Sequence, residues 1–153
     1  MMFEEKLKEL GIEIPEAPKP LASYIPAAIS GNLVYTAGQV PLEGGKLNYI
    51  GLVGKDISIE DAQKAAKVCA INCLSVIKSV IGDLNKIERI LKLTVFVASS
   101  DGFVDQPKVA NGASDFIVEV FGEKGKHVRS AVGVSGLPIN APVEIEMIAE
   151  LKK

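Results

Sequence analysis

Apolar positions recur at helical spacing in two parts of the chain. The clearer helix is predicted to begin after Ser58, which forms a capping-box signature with Asp61, and to end at Gly82. Its apolar stripe consists of Ala62, Ala65, Ala66, Cys69, Cys73, Val76, Ile77 and Val80. Asp105 and Pro107 predict the start of a second helix that runs toward Phe121 and is closed by the glycines at 122 and 125. Two amphipathic helices therefore need a partner surface.

The remaining apolar segments are short and predict β-strands. Residues 27–29 and 33–37 flank a Ser-Gly-Asn turn and predict a hairpin, whereas 87–97 predicts a central strand. The last two strands, Val128–Val134 and Val143–Leu151, are separated by a Gly-Leu-Pro turn and are expected to pair with each other.

The order of these elements predicts an α+β fold. With a short edge strand in 46–50, the order is β-β-(β)-α-β-α-β-β, with both helices on one face of a mostly antiparallel sheet. The length of 153 residues fits one domain spanning 1–153, in which 1–21 is a lead-in that begins with a short helix.

Composition and charge narrow the class of partner. The 17 basic residues are scattered among 19 acidic ones, an arrangement that argues against nucleic-acid binding. Apolar residues make up 48% of the chain, which indicates either a well-packed core or a buried subunit interface. No run approaches the roughly 20 apolar residues of a membrane span, and the acidic N-terminus lacks the layout of a secretory signal. We expect a cytoplasmic protein that is not attached to a membrane.

Cysteine and histidine, the side chains that most often bind zinc, are few. Cys69 and Cys73 lie four apart in a helical pattern and are interpreted as small apolar residues packed inside. Only His127 could join them, so a metal site is not expected. His127 itself, in a Gly-Lys loop, is interpreted as solvated surface.

The charged residues in the final strands are the candidates for chemistry. Arg129 presents a permanently charged planar fork suited to a carboxylate or phosphate, and Glu144 and Glu146 alternate with apolar residues of the last strand. A hairpin turning near Pro138 would bring Arg129 and Glu144 onto one face, about 13 Å apart.

Between those two charges the Arg129 strand carries only Ala131 and Gly133, so the hairpin register describes a slot for a small anionic molecule. The alternative is a solvated polar face with an incidental salt bridge. In the second helix, Asn111-Gly112 weakens helix formation by about 1 kcal/mol and indicates either a site or an irregular first turn.

Two separated segments resemble a known family. RSAVGVSGLPINAPVEIEMIA is similar to the closing signature of the Rid/YjgF family, in which an arginine precedes a Leu-Pro turn and an E-I-E strand. YIPAAISGNLVYTAGQVP resembles the opening hairpin of that family, with its T-x-G-Q-x-P ending. The resemblance extends over roughly residues 22–151.

The resemblance implies a chorismate-mutase-like fold, assembly as a homotrimer and clefts between neighbouring subunits. In the archetype each cleft hydrolyses 2-imino acids to 2-oxo acids and ammonia without a metal or organic cofactor. A small carboxylate substrate is therefore expected here too.

Matching positions give each candidate residue a role by resemblance. Arg129 corresponds to the arginine that binds the substrate carboxylate, and Glu144 to the glutamate that holds the attacking water. Tyr24 corresponds to an aromatic residue at the cleft, Gly38 to a backbone contact beside the substrate, and Asn111 to a polar residue near the rim.

Departures from the archetype leave alternatives open. Its cysteine two residues after the arginine is Ala131 here, and the serine before the hairpin glycine is Ala37. Both line the expected slot, and with a longer loop at 41–56 they indicate a divergent branch. One alternative is a protein that binds a small carboxylate without turnover. A ribonuclease or translation inhibitor is disfavoured by the single histidine and the few aromatic residues.

Overall fold

The computed structural model describes residues 2–19 and 23–153. Residues 1, 20 and 21 of the expected lead-in, and residue 22 after it, therefore lie outside the described residues. Its helices and strands are α1 (Phe3–Glu9), β1 (Ala27–Ser30), β2 (Leu33–Thr36), β3 (Leu42–Glu43), β4 (Lys46–Leu47), α2 (Ile59–Ile81), β5 (Ile87–Ala98), α3 (Gln106–Phe121), β6 (Val128–Val134) and β7 (Val143–Leu151). The predicted α+β class is confirmed.

Helix α2 begins and ends where its capping residues predict. Ser58 Oγ accepts a hydrogen bond of 3.1 Å from the Asp61 amide, and Gly82 caps the other end with φ of +86°. The predicted stripe is buried except at Val80, which is 40% exposed. In the same last turn Ile81, which was not part of the predicted stripe, is buried.

Five strands form the main sheet in the order β1-β2-β7-β5-β6. The β1–β2 hairpin is confirmed, and every pairing is antiparallel except β5 with β6, which is parallel. The predicted pairing of β6 with β7 is wrong, because β5 lies between them and pairs with both. Helix α3 makes the crossover that a parallel pair requires.

The expected edge strand at 46–50 is reduced to β4, which pairs with β3 in a separate two-stranded ribbon. The rest of this loop is fastened to the domain. Asn72 of α2 donates to the carbonyls of Val40 and Leu42 at 3.0 and 2.9 Å. The Val53 amide donates to the Ala98 carbonyl at the end of β5 at 2.7 Å.

The two faces of the main sheet differ in their surroundings. Helices α2 and α3 cover one face, where the alternate residues Leu93, Val95 and Val97 of β5 are fully buried. No helix of the described ranges covers the other face, called here the open face. It carries the exposed apolar residues Tyr35 and Val132. A packed core and an uncovered apolar surface therefore both account for the apolar composition.

Among residues 2–19 and 23–153, no helix is both long enough and apolar enough to cross a membrane.

We expect Gly112→Ala to destabilise the protein by about 1–3 kcal/mol, as seen for overpacked sites. A Cβ at Gly112 of α3 would overlap the backbone carbonyl of Gln63 on α2. In a helix interior, alanine is otherwise more favourable than glycine by about 1 kcal/mol. A loss of stability in Gly112→Ala would therefore show that the clash with α2 outweighs this gain. Denaturant unfolding measures the loss. Gly136→Ala, where a Cβ meets no atom, is the control and should change stability by less than about 0.5 kcal/mol. Equal effects of the two variants would contradict the assignment.

Candidate functional site

Arg129 lies on β6 opposite Leu93, on the helix-covered face at the edge of the sheet. Its side chain extends against α3, the helix that connects β5 to β6. Guanidinium Nη1 donates to Asn111 Oδ1 at 2.9 Å and to Ser114 Oγ at 3.1 Å, and Nη2 donates to the Pro107 carbonyl at 3.4 Å. The guanidinium is therefore held by one helix through neutral acceptors.

These bonds leave one edge of the Arg129 fork free. The two Nη1 hydrogens are used, whereas no residue within 2–19 or 23–153 accepts from Nε. None of the ion pairs among those residues includes Arg129. Nε and the remaining Nη2 hydrogen form one edge of the planar fork, and that edge matches the two oxygens of a carboxylate.

Asn111 and Gly112 have separate functions in α3. The helix is regular through this pair, so the irregular first turn is wrong. Gly112 allows the close approach of α2, while Asn111 orients Arg129. The cost of a weak helix-forming pair is thus offset by packing and by the contact with Arg129.

Glu144 lies on β7 opposite Phe96, on the open face of the sheet. Its neighbours Val143 and Ile145 are fully buried on the other face. Burial raises the pKa of the Glu144 carboxyl, and the nearby charge of Glu146 raises it further. A carboxylate in this condition is a stronger base than a solvated one.

Gly38 contacts the Glu144 side chain closely, and a Cβ at this position would overlap the carboxylate. Glycine is therefore required by close approach and not by its φ angle. The neighbouring Ala37 is half-buried, and its amide donates to the Pro26 carbonyl at 2.7 Å.

A bulge between β2 and β7 places Gly38 there. The ladder stops at Tyr35 and resumes at Gln39, so 36–38 face only two residues of β7, Glu146 and Met147. Thr36 Oγ1 replaces the missing ladder bond, because it accepts from the Met147 amide at 2.9 Å. The same hydroxyl donates to Cys73 Sγ at 3.8 Å.

Both cysteines of α2 are packed in the protein core, as interpreted from the sequence. Cys69 and Cys73 are free and fully buried, and each thiol donates to a β7 carbonyl. Burial raises the pKa of Cys73 to about 12, so its thiol stays protonated. In the described ranges no three His, Cys, Asp or Glu residues gather as metal ligands.

The predicted one-chain slot between Arg129 and Glu144 is wrong. The two side chains lie on opposite faces, because Arg129 is in register with Leu93 of β5 and Glu144 with Phe96. Ala131 shares the face of Arg129 and packs against the core. Gly133 forms no gap, since a Cβ there would lie 2.7 Å from Gln106 Nε2.

The structure brings the predicted site residues together in two groups. Arg129 contacts Asn111, and Glu144 contacts Gly38, which follows Ala37. Tyr24 precedes β1 and is 60% exposed, and among the described residues its side chain makes no hydrogen bond to either group.

Ser114 and His127 were not predicted for the site. Ser114 Oγ lies 2.9 Å from His127 Nε2, and His127 Nδ1 lies 2.6 Å from the Gly125 carbonyl. His127 is half-buried, so its interpretation as solvated surface is wrong. A signal was present, because Asn111 and Ser114 share a helix face at i, i+3. His127, the residue before β6, is also two positions from Arg129, the spacing that places side chains on one side of an extended chain.

Comparison with known proteins agrees with this fold. Residues 4–151 match the family described as "YjgF/chorismate mutase-like, putative endoribonuclease". Protein TCP17 of Trypanosoma cruzi is 42% identical over 148 residues, covering 95% of this chain and 91% of that protein. The crystal structure of Atu1372 from Agrobacterium tumefaciens, a protein with unknown function, superposes with a TM-score of 0.91 at 50% identity, covering 98% of this chain and 92% of that one.

A relative named for a reaction is more distant. The 2-iminobutanoate/2-iminopropanoate deaminase of Dermatophagoides farinae is 30% identical over 141 residues, covering 92% of this chain and 95% of that protein. The fold is thus that of the chorismate-mutase-like α+β proteins. The chain belongs to the Rid/YjgF family.

We expect Glu144→Gln to raise the melting temperature at pH 7. The folded-state pKa of Glu144 is raised, so the folded wild type binds its proton more tightly than the unfolded chain does. Wild-type stability therefore falls as pH rises through the folded pKa, and glutamine removes this loss. The advantage of Glu144→Gln should disappear below about pH 4, where unfolded glutamate is protonated too. Thermal melts from pH 3 to 8 at one protein concentration test this.

Glu119→Gln serves as the control for the loss of one negative charge, because Glu119 is an exposed residue of α3. It should give no comparable pH-dependent difference. An advantage of Glu144→Gln that grows toward acid pH would contradict the assigned sign.

Proposed function

We propose that the protein hydrolyses small 2-imino acids to 2-oxo acids and ammonia. The observation that carries the proposal is the Arg129 guanidinium, which is oriented by α3 but keeps one edge of its fork without an anionic partner in the described ranges. A prearranged and unneutralised cation favours an anionic ligand. The family membership and the deaminase relative support a 2-imino acid as that ligand.

The proposed site combines two copies of the chain. Arg129 and Glu144 lie on opposite sheet faces and on strands separated by β5, so one chain does not present both to one small molecule. A second copy can supply Glu144 if its open face packs beside the Arg129 edge. The exposed apolar side chains of the open face, such as Val128 and Val132, favour such packing. We propose a homotrimer, as the family resemblance implies, with one cleft at each subunit boundary.

In the proposed reaction Arg129 binds the substrate carboxylate, and Glu144 of a neighbouring copy holds a water molecule. The water oxygen forms a bond to the imine carbon while Glu144 takes a water proton, and the C=N electron pair moves to nitrogen. Starting from the imine protonated on nitrogen, this gives a neutral carbinolamine. The proton on Glu144 then passes to the amine nitrogen, the C–N bond breaks and ammonia leaves with its electron pair, while the Glu144 carboxylate takes the hydroxyl proton as the carbonyl forms. The raised pKa of Glu144 suits this role, because a general base works best near the operating pH.

The remaining predicted residues would shape the cleft. Gly38 brings backbone against the Glu144 carboxylate, and Asn111 keeps Arg129 directed away from α3. Ala37 and Ala131 provide methyl groups in place of the hydroxyl and the thiol of the archetype. Tyr24 is exposed before β1 and is available to a neighbouring copy. The chemistry needs no cofactor, since a protonated imine is already electrophilic.

The two alanines also favour a second candidate function. A cleft lined by Ala37 and Ala131 has fewer polar groups to orient a reacting water, which suits binding of a small carboxylate without turnover. Calorimetric titration with pyruvate separates the two functions. Tight binding of pyruvate together with no acceleration of imine hydrolysis would select the binding protein.

Ribonuclease activity, which the family description includes, is disfavoured by the site. The single histidine is bonded through both ring nitrogens, and the net charge is −2. Little remains to attract RNA or to cleave it by acid–base catalysis.

We expect Arg129→Ala to lower kcat/KM for 2-iminopropanoate by about 100-fold, because a bidentate charged contact is lost. Arg129→Lys should retain part of the activity, since the charge stays while the planar fork is lost. Ammonia release from freshly generated 2-iminopropanoate is the measurement. Arg89→Ala, which removes an exposed arginine of β5, is the matched control and should retain wild-type activity. A wild-type protein that fails to accelerate hydrolysis of several 2-imino acids would exclude the deaminase.

Mixed assemblies test whether the cleft is shared. Arg129→Ala and Glu144→Gln chains should each be inactive alone, yet equal mixtures refolded together should recover roughly a quarter of wild-type activity. In a shared cleft, one site in four then combines an intact Arg129 from a Glu144→Gln chain with an intact Glu144 from an Arg129→Ala chain. No recovery in assemblies shown to be mixed would contradict a site built from two copies.

A further inference from the structure

Arg129 is connected through Ser114 and His127 to a fixed backbone carbonyl. Each hydrogen bond in this series has a defined direction. His127 Nδ1 lies 2.6 Å from the Gly125 carbonyl oxygen, which only accepts, so Nδ1 carries the proton. In the neutral ring Nε2 is then an acceptor, and Ser114 Oγ donates to it at 2.9 Å. With its hydrogen directed to His127, Ser114 Oγ accepts from Arg129 Nη1 at 3.1 Å.

The neutral form of His127 is consistent with its surroundings. Burial lowers the pKa of His127, and the nearby Arg129 charge lowers it further, whereas the bond to Gly125 acts in the opposite direction. A protonated ring would direct a second N–H at Ser114, where it would compete with Arg129 for the hydroxyl oxygen.

The Gly125 carbonyl, which ends this series of hydrogen bonds, lies in the packed part of the fold. Gly125 is buried, and a Cβ there would lie 2.6 Å from the Ile117 carbonyl of α3. Its carbonyl is therefore held against the same helix that carries Ser114. The series of hydrogen bonds therefore runs from the Gly125 carbonyl through His127 to Ser114 of α3, and from Ser114 to Arg129 of β6.

This connection decides which edge of the guanidinium is available. Ser114 and Asn111 together occupy both hydrogens of Nη1. Without Ser114, rotation about the side-chain bonds of Arg129 would make either edge available, and the ordering cost would be added to ligand binding. Ser114 therefore acts on ligand binding through Arg129, without contact with the ligand itself.

We propose that Ser114 and His127, in its Nδ1–H tautomer, are positioning residues that fix Arg129 so that its Nε/Nη2 edge binds the substrate carboxylate. This inference rests on the proposed function for the identity of the ligand, but the tautomer and the orientation of Arg129 can be measured without any turnover.

A spectroscopic experiment tests the connection directly. Because the chain contains one histidine, ¹⁵N-histidine labelling gives one pair of ring nitrogen signals. At pH 7.5 we expect a protonated Nδ1 and an unprotonated Nε2 in the wild type. In ¹⁵N-arginine spectra the Arg129 Nη signals should show restricted rotation in the wild type and in Ser114→Thr, and freer rotation in Ser114→Ala. An Nε2–H tautomer in the folded wild type would overturn the proposal.

Kinetics provide the second arm. Ser114→Ala should raise KM for 2-iminopropanoate by about 5- to 30-fold with less effect on kcat, as expected when contacts common to substrate and transition state are weakened. Ser114→Thr keeps the hydroxyl and should restore KM to near the wild-type value. His127→Gln, whose amide oxygen can accept from Ser114, should retain a lower KM than His127→Leu. Circular dichroism confirms that each variant is folded.

The outcomes separate this proposal from the proposed function. An unchanged KM in folded Ser114→Ala, alongside a severe defect in Arg129→Ala, overturns the positioning role while leaving the deaminase intact. A wild type without turnover and without pyruvate binding removes the deaminase and the carboxylate ligand. In that case the Nδ1–H tautomer and the Ser114-dependent restriction of Arg129 still decide whether the connection fixes the guanidinium.

Discussion

The position of β5 between β6 and β7 is the constraint on which the rest of the structure depends. This strand pairs in parallel with β6 and antiparallel with β7, so its two edges are both satisfied within one chain. Its alternate residues Leu93, Val95 and Val97 face the helices and are fully buried. The register of β5 with its neighbours therefore places Arg129 on the helix-covered face and Glu144 on the open face.

The same arrangement gives each charge a different setting. Arg129 lies at a sheet edge against α3, where Asn111 and Ser114 orient it through neutral oxygens. No carboxylate in the described part of the chain pairs with its charge. Glu144 lies on the central strand β7 beside a bulge, where Gly38 approaches its side chain closely and partial burial raises its pKa. The bulge itself depends on core contacts, because Thr36 bridges the Met147 amide and the Cys73 thiol. Buried residues of α2 thus contribute to the geometry of a surface site.

Much of the fold follows from local rules. The limits of α2 follow from Ser58 and Gly82, and the β1–β2 hairpin from its Ser-Gly-Asn turn. Capping and turn formation involve residues within a few positions, so the chain encodes them directly. The pairing of β6 was mispredicted for the complementary reason. A Gly-Leu-Pro turn permits a hairpin, but the apolar edge of β5 competes for the same strand, and sheet pairing between distant segments is decided by burial of whole faces.

The sequence by itself determined the class of fold, the family and the chemical character of Arg129 and Glu144, because side-chain charge and hydrophobic periodicity do not depend on distant contacts. Only the tertiary structure decided that these two residues lie on opposite faces, since alternation along a strand does not state which neighbour sets the register. It also decided the roles of His127 and Ser114. Their hydrogen bonds join α3 to β6, and such contacts exist only when the core has brought the two elements together.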